Sequence, residues 1–115
     1  MGKVIYYKDS LGKNPVSDFL DSLRESQQTK LLRVINYIKI YGLQSVIPHV
    51  KKVIGAPFWE IRILGKDNVR IFYVVIQGDV VLLPHGFTKK TQKTSSRDIS
   101  VALKRLEEYR SRLTK

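Results

Sequence analysis

The sequence predicts one α+β domain over residues 1–115, in which an antiparallel sheet packs against helices. Three observations predict this fold class. A short strand-like run precedes two segments with helical periodicity. Three strand-like runs then follow one another, separated by turns that contain glycine. A capped amphipathic segment completes the expected order, which is βαα, a βββ meander and α.

The first part of the chain is expected to hold one strand and a helical hairpin. Val4–Tyr7 reads as the strand. Asn14 suits the N-cap of the first helix because its side chain can accept an unpaired amide hydrogen, and Pro15 follows where a missing N–H costs nothing. Apolar residues then recur on one face of each helix, at Val16, Phe19, Leu20 and Leu23 and at Leu31, Val34, Ile35 and Ile38. Gly42 is expected to end the second helix, and the two helices join around Ser26.

Residues 42–57 are expected to form an irregular loop, because prolines and glycines interrupt the periodicity. Pro84 predicts a local irregularity in the last strand of the meander, since proline has no N–H for the ladder. The three strands of the meander are expected at Phe58–Leu64, Val69–Ile76 and Val80–Leu83, with continuation of the last strand through Pro84 to Phe87 left open. Ser95 and Asp98 fit a capping box for the last helix. The apolar face of that helix is expected to be Ile99, Ala102, Leu103, Leu106 and Leu113.

Charge and composition limit the possible functions. The chain carries 21 Lys and Arg against 10 Asp and Glu, a formal net charge of +11 with a pI of about 10.0. This imbalance predicts salt-sensitive attraction to nucleic acid or to an acidic protein. Cysteine is absent, which excludes disulfides and thiolate zinc sites and favours a cytoplasmic location. No apolar stretch approaches the roughly 20 residues of a membrane span. No cofactor-binding motif is present, so no cofactor is expected. A membrane partner is not expected either, because the basic residues are spread over loops and strands and not along one helix face.

Basic residues are expected to gather on one surface of the meander. Glu60 and Arg62 point away from the apolar residues of their strand, and Arg70 alternates with apolar neighbours in the next one. If these strands pair through the turn at residues 65–68, Arg62 and Arg70 lie on one surface as near-diagonal neighbours. The segment GFTKKTQKT at residues 86–94 brings more polar groups to the edge of the same sheet, namely Thr88, Lys89, Lys90 and Lys93.

A surface of this kind suits RNA cleavage. The ribose 2′-hydroxyl attacks the adjacent phosphate, and fixed cations stabilise the charge of the transition state, each often contributing roughly 3–4 kcal/mol. An ammonium group among other cations is more easily deprotonated, so a lysine is a candidate general acid or base. Glu60 and Tyr73 are alternatives, although the parity of Tyr73 with Val69 and Ile71 favours the core. The competing interpretation is an ordinary cross-strand ion pair on a solvated sheet.

His49 and His85 are the two histidines of the chain. A metal site built on them needs further ligands at suitable spacing, and none is found, so no metal is expected. His85 is assigned a structural or surface role. His49 shares its loop with Lys51 and Lys52, and this loop leads into the first meander strand. His49 is therefore a candidate for contact with the substrate.

Three motifs together resemble the HigB-type, phage Gp49-like branch of the RelE/ParE toxin superfamily. They are FWEIR at residues 58–62, VRIFY at residues 69–73, and VLL followed by HGFTKKTQKT at residues 81–94. The resemblance spans nearly the whole chain and implies a RelE/ParE-like fold in the order βααβββα. It implies the toxin of a type II toxin–antitoxin system, a metal-independent mRNA endoribonuclease that in many relatives acts in the ribosomal A site. It also implies a small antitoxin partner, commonly a helix-turn-helix, HigA-like protein.

The resemblance also implies roles for single residues. The phosphate-contacting basic residues of the family match Arg62 and Arg70, and its basic loop matches Lys89, Lys90 and Lys93. Candidates for proton transfer are Glu60, Tyr73 and His49. Further RNA contacts are expected from Thr88, Lys51 and Lys52. Relatives often read Leu-Leu-His-Gly-Phe, so Pro84 is an insertion that predicts a bulge. Two other classes stay open: a ParE-like DNA gyrase inhibitor without catalysis, and a purely regulatory RNA-binding module.

Overall fold

A computed structural model describes residues 3–42, 50–62, 68–78, 80–89 and 95–113. Within these ranges the elements are β1 (Lys3–Tyr6), α1 (Pro15–Ser22), α2 (Glu25–Tyr41), β2 (Val50–Lys52), β3 (Trp59–Arg62), β4 (Val69–Gln77), β5 (Val80–Thr88) and α3 (Ser96–Leu113). The strands form one sheet in the order β1-β5-β4-β3-β2. The pair β1–β5 is parallel, and the other three pairs are antiparallel. The α+β prediction is confirmed.

Two details differ from the predicted order. Val50–Lys52 pairs with β3 as an edge strand, so the prediction of an irregular loop is wrong at these three residues. The strand is short and has no apolar alternation, and its sequence therefore gives no period-two signal. The helical hairpin turns at Leu23 and Arg24, and Ser26 lies inside α2. None of the described helices has the length and apolar character needed to cross a membrane.

The sheet has helices on both faces, and the two faces have separate cores. Helices α1 and α2 pack on one face, named the hairpin face, over β-strand residues that include Ile61, Val69, Ile71 and Tyr73. Helix α3 packs on the other face, named the α3 face, where Ala102 and Leu106 join Phe58, Phe72, Val74, Leu82 and Phe87. Leu103 and Leu113, predicted to lie on the apolar face of α3, are exposed.

The helix ends follow the capping signals. The Ser17 amide donates to Asn14 Oδ1 at 3.1 Å, which confirms Asn14 as the N-cap of α1. Gly42 ends α2 with φ of 84°, a backbone conformation that a side chain disfavours. The Asp98 amide donates to Ser95 Oγ at 3.1 Å, as the predicted capping box requires.

Strand β5 contains a bulge at Pro84 that preserves the alternation of the residues after it. Phe72 of β4 is opposite His85, whereas Val74 is opposite Leu82, so β5 holds one extra residue in this interval. Because the bulge absorbs one residue, His85 lies on the α3 face as it would if Pro84 were absent. The predicted irregularity is confirmed. Because the bulge accommodates the extra residue, the residues after Pro84 keep the faces of the sheet that they would have without it.

Gly86 is required by the packing of α1. A Cβ atom on Gly86 would lie 2.5 Å from Cδ2 and 2.9 Å from Cε2 of the Phe19 ring. The ring thus packs directly on the backbone of β5, on the face opposite to His85 and Phe87. Glycine at this position fixes α1 close to the strand that ends in the lysine-bearing segment.

Candidate functional site

Three charged residues of β3 and β4 lie in two cross-strand rows on the α3 face. In one row Arg62 is directly opposite Arg70, and Arg70 is opposite Phe87. In the next row Glu60 is opposite Phe72, which is opposite His85. Arg62 and Arg70 were predicted to be near-diagonal neighbours. Their direct opposition brings two like charges closer, an arrangement that costs free energy unless an anion compensates it.

Glu60 is the centre of the charged group. It is only 1% exposed, which is rare for a carboxylate unless cations surround it. Its Oε1 atom lies 3.0 Å from Nε of Arg70 and 3.7 Å from Nζ of Lys89. The side chains of Arg70 and Lys89 are themselves only 12% and 10% exposed. Glu60, Arg62, Arg70 and Lys89 are called the basic cluster below.

The basic cluster contains guanidinium donors that are buried but not hydrogen-bonded. The Nε atoms of Arg62 and Arg70 are both inaccessible and lack a hydrogen-bond acceptor among the described residues. For Arg70 the 3.0 Å contact to Glu60 is an ion pair without the angle of a hydrogen bond, and its NH1 group donates to the Val69 carbonyl at 2.9 Å. A buried unsatisfied donor costs about 1–3 kcal/mol, so this arrangement favours an anionic ligand.

Aromatic rings pack against one another beside the basic cluster. Phe58 and Phe72 stack at 5.4 Å between centroids, and Phe72 meets Phe87 edge-on at 5.0 Å. Phe87 in turn stacks on His85 at 5.3 Å. Because these rings come from the same strands as the charged side chains, the positions of Glu60 and Arg70 are set by packed strands and not by loops.

The remaining predicted site residues divide between the two faces. Lys51 is opposite Glu60 in the sheet register and therefore shares the α3 face. Lys52 is opposite Trp59, and Thr88 is opposite Val69, so both belong to the hairpin face. The structure thus brings Lys51 to the side of the basic cluster and does not bring Lys52 or Thr88 there. His49, Lys90 and Lys93 lie outside the described residues.

Tyr73 also lies on the hairpin face. It is 5% exposed, belongs to the core under α1 and α2, and stacks on Trp59 at 6.5 Å. Burial raises the pKa of its hydroxyl. The sheet therefore separates Tyr73 from Glu60 and Arg70, as its parity with Val69 suggested. Tyr73 alternates with Arg70 and Phe72 along β4, and Phe72 is opposite Glu60, so the structure does not bring Tyr73 to the side of Glu60. A catalytic role for Tyr73 stays a prediction.

A second polar group beside the basic cluster was not singled out from the sequence. His85 Nε2 lies 2.7 Å from Asp98 Oδ1, and NH1 of Arg105 donates to His85 Nδ1 at 3.1 Å. Ser95 Oγ donates to the other oxygen of Asp98 at 2.6 Å. The seven-residue spacing of Asp98 and Arg105 on one helix face is the signal that could have predicted a shared partner.

Trp59, the first residue of β3, is 40% exposed. It lies near the β2 edge of the hairpin face, and Nζ of Lys52 is 5.9 Å from its ring. No group of three or more histidine, aspartate or glutamate side chains that could hold a metal ion occurs within the described ranges. The described chemistry of the site is accordingly that of two guanidinium groups, one ammonium group and one carboxylate.

Comparison with known proteins gives one family. The model of the phage-derived, Gp49-like protein family matches residues 18–107, which run from within α1 to within α3. All four residues of the basic cluster lie inside the match, and so do His85, Asp98 and Arg105. A comparison with curated proteins finds no match.

Proposed function

Because the chain belongs to the Gp49-like family of the RelE/HigB toxin superfamily, we propose that it is a toxin that cleaves mRNA and that the basic cluster is its active site. The superfamily supports a toxin of a toxin–antitoxin pair. The cleavage reaction is inferred from the cluster itself. The observation that carries it is the direct opposition of Arg62 and Arg70 on the α3 face, where the buried Nε of Arg62 has no acceptor among the described residues.

A phosphodiester matches the unsatisfied donors of the cluster. When the ribose 2′-hydroxyl attacks phosphorus, negative charge grows on the non-bridging oxygens. Arg62 and Arg70 are already buried and oriented, so they would stabilise that charge without reorganisation. Binding an anion would also offset the repulsion between the opposed guanidinium groups. The cluster is thus more complementary to a charged phosphate than to water.

Glu60 and Lys89 have different proposed roles. Glu60 is nearly inaccessible and already engaged by Arg70 and Lys89, so its carboxylate acts by holding these two cations in place. Lys89 is cationic and carries transferable protons, and it can therefore protonate the 5′-oxygen that leaves when the P–O5′ bond breaks, while the proton of the attacking 2′-hydroxyl passes to a solvent water molecule. Lys51 adds a charge on the same face, and its proposed role is to contact the RNA backbone.

The partners follow from this reaction. The family implies an antitoxin. We propose a helix-turn-helix, HigA-like antitoxin, and an mRNA bound in the ribosomal A site as the substrate. Translating ribosomes and mRNA place the activity in the cytoplasm. The formal net charge of +11 favours association with both the ribosome and the message, and it makes that association dependent on salt.

The test is to induce the full chain in cells and to map transcript ends by primer extension, with a parallel reaction on purified mRNA with and without ribosomes. Arg70→Ala should lower the cleavage rate by about 10²- to 10³-fold, the effect of removing one preorganised donor. Arg33→Ala, which removes an equal charge from the exposed surface of α2, should change it little. If Arg70→Ala cleaves as fast as the parent at equal expression, the assigned site is wrong. Loss of DNA supercoiling without transcript cleavage would instead identify a gyrase inhibitor.

A further inference from the structure

His85 connects β5 to α3 by hydrogen bonds from both ring nitrogens. Nε2 lies 2.7 Å from Oδ1 of Asp98, in the first turn of the helix, and Nδ1 lies 3.1 Å from NH1 of Arg105, two turns further on. The same NH1 group donates to the Pro84 carbonyl at 3.1 Å, at the bulge. Ser95, His85, Asp98 and Arg105 are called the His85 clamp below.

The two partners fix the tautomer of His85. A guanidinium group only donates hydrogen bonds, so Nδ1 must accept from Arg105 and carry no proton. The proton of the neutral ring is therefore on Nε2, which donates to the Asp98 carboxylate. Asp98 in turn accepts from Ser95 Oγ at 2.6 Å through its second oxygen. The contacts are satisfied together only when His85 is neutral.

The His85 clamp spans the segment that carries the lysines. His85 is in β5, and Lys89 follows four residues later, directly after the end of that strand. Both side chains are on the α3 face. Ser95 and Asp98 lie at the other end of the segment, in the cap and first turn of α3. A contact between His85 and Asp98 therefore fixes the distance between the two ends of this stretch. Lys89 is further tied by its amide, which donates to the Asn68 carbonyl at 2.6 Å.

We propose that His85 is a positioning residue for the basic cluster: it holds the first turn of α3 on β5 and so fixes Lys89 where it meets Glu60 and the scissile phosphate. The inference rests on the proposed function for its catalytic consequence, and it goes beyond it by giving the cluster a support in α3. A misplacement of about 1 Å at a reacting group can cost on the order of 10²-fold in rate, so such a support matters for the cleavage step.

The clamp also makes the cluster sensitive to acid. The charged groups that face the imidazole are Asp98 and Arg105 of α3, while β4 and β5 present the rings of Phe72 and Phe87. Burial lowers the pKa of His85 from 6.5, Asp98 opposes this shift, and Arg105 adds to it. A proton on Nδ1 would put one N–H against another and expel Arg105. Between the folded-state pKa and 6.5 the unfolded chain binds more protons, so stability from the clamp falls as the pH is lowered through that window.

The experiment compares three variants of the full chain on ribosome-bound mRNA, with kcat and KM measured from pH 5.5 to 8. His85→Phe keeps a ring but loses both hydrogen bonds, and kcat at pH 7.5 should fall roughly 10- to 100-fold with KM nearly unchanged. His85→Gln keeps a donor and an acceptor but does not titrate, so it should recover most of kcat and lose the acidic decline. Tyr7→Phe removes a different contact of α3, from the Tyr7 hydroxyl to Glu108 Oε1 at 2.6 Å, and should leave kcat unchanged.

A second measurement separates this inference from the proposed function. Hydrogen exchange of the Lys89 amide in the free chain reports its bond to Asn68 without any cleavage. It should become at least 10-fold faster in His85→Phe and stay unchanged in Tyr7→Phe. Equal exchange rates in these two variants would overturn the clamp, and so would an unchanged acidic decline in His85→Gln. If the parent chain cleaves no RNA, the proposed function is wrong. The exchange rates of the Lys89 amide then still test whether His85 holds Lys89 in place.

Discussion

The two faces of the sheet are made by the same strands but differ in chemistry. On the hairpin face, β4 places Val69, Ile71 and Tyr73 beneath α1 and α2, and each of them is buried. On the α3 face the same strand runs from Arg70 to Phe72 and then to Val74, so one end is charged and the other is apolar. On the hairpin face these residues form an apolar core, whereas the α3 face holds both an apolar core and the candidate site.

The difference shows how a small domain can hold a buried charged site without losing its core. Helix α3 covers the apolar end of its face through Ala102 and Leu106, and its first turn reaches the charged end through Asp98. The cost of burying Glu60 is offset by Arg70 and Lys89, which the strands hold in place. The hairpin face thus stabilises the strands that the charged site uses as its support.

The largest effect is expected from Glu60→Gln. The neutral amide would leave two largely buried cations without their carboxylate, and breaking a buried pair costs about 3–5 kcal/mol. We expect a loss of about 3 kcal/mol in the free energy of unfolding, measured with urea, together with a large loss of cleavage. The control is Ile61→Val, at the residue that follows Glu60 and points to the hairpin face. It should lower the free energy of unfolding by about 1 kcal/mol and leave the cleavage rate unchanged. A Glu60→Gln chain as stable and as active as the parent would mean that Glu60 does not organise the cluster.

Gly86→Ala should give the next largest effect, and it acts from the hairpin face. The new methyl group would meet Phe19 at 2.5 Å, and overpacking of this kind typically costs about 1–3 kcal/mol. When Gly86→Ala is introduced into the parent chain, unfolding in urea should show this loss of stability. In a Phe19→Ala background, which removes the ring, the same substitution should cost less than half as much, and a double-mutant cycle measures the difference. If Gly86→Ala lowers the free energy of unfolding equally in both backgrounds, then contact with the Phe19 ring is not the reason why glycine is required at this position.

The fold could be predicted from the sequence wherever periodicity and capping agreed. The cap at Asn14, the stop at Gly42 and the capping box at Ser95 are local signals, so the helix positions followed from them. Strand β2 could not be predicted, because Val50–Lys52 is too short to show alternation and is defined by its pairing with β3. Trp59 lies on β3, one strand in from the edge strand β2, and its exposure likewise could not be predicted because it depends on the order of strands in the sheet.

The candidate site could be predicted only in part. Alternation along β3 and β4 was enough to bring Arg62 and Arg70 to one face. The burial of Glu60 was not predictable, because it depends on Lys89 arriving from a third strand past a bulge. The His85 clamp could not be predicted for a similar reason. The partners of His85 lie 13 and 20 residues further along the chain, on α3, and the sequence does not show how α3 is oriented on the sheet.

A smaller effect should distinguish the two lysines of β2. Lys51 is on the α3 face opposite Glu60, and Lys52 is on the hairpin face opposite Trp59, so they form a matched pair with equal charge. Lys51→Ala should weaken binding to single-stranded RNA a few-fold and reduce the slope of log K against log salt by about 0.7, the value for one lost phosphate contact. Lys52→Ala should leave that slope unchanged. A filter-binding titration at several salt concentrations measures both, and equal slopes would place the RNA elsewhere.

The smallest effect is expected from Tyr73→Phe, and it tests the separation of the faces most directly. Removing the hydroxyl leaves the ring in place, so the stack on Trp59 and the core under α1 and α2 should persist. Since Tyr73 faces away from Glu60 and Arg70, the cleavage rate should stay within about two-fold of the parent at every pH, well below the roughly 10²-fold loss expected for a proton-transfer group. Single-turnover cleavage of ribosome-bound mRNA measures this. A 100-fold loss with unchanged stability would mean that the hydroxyl reaches the RNA from the hairpin face, and the basic cluster alone would then not be the active site.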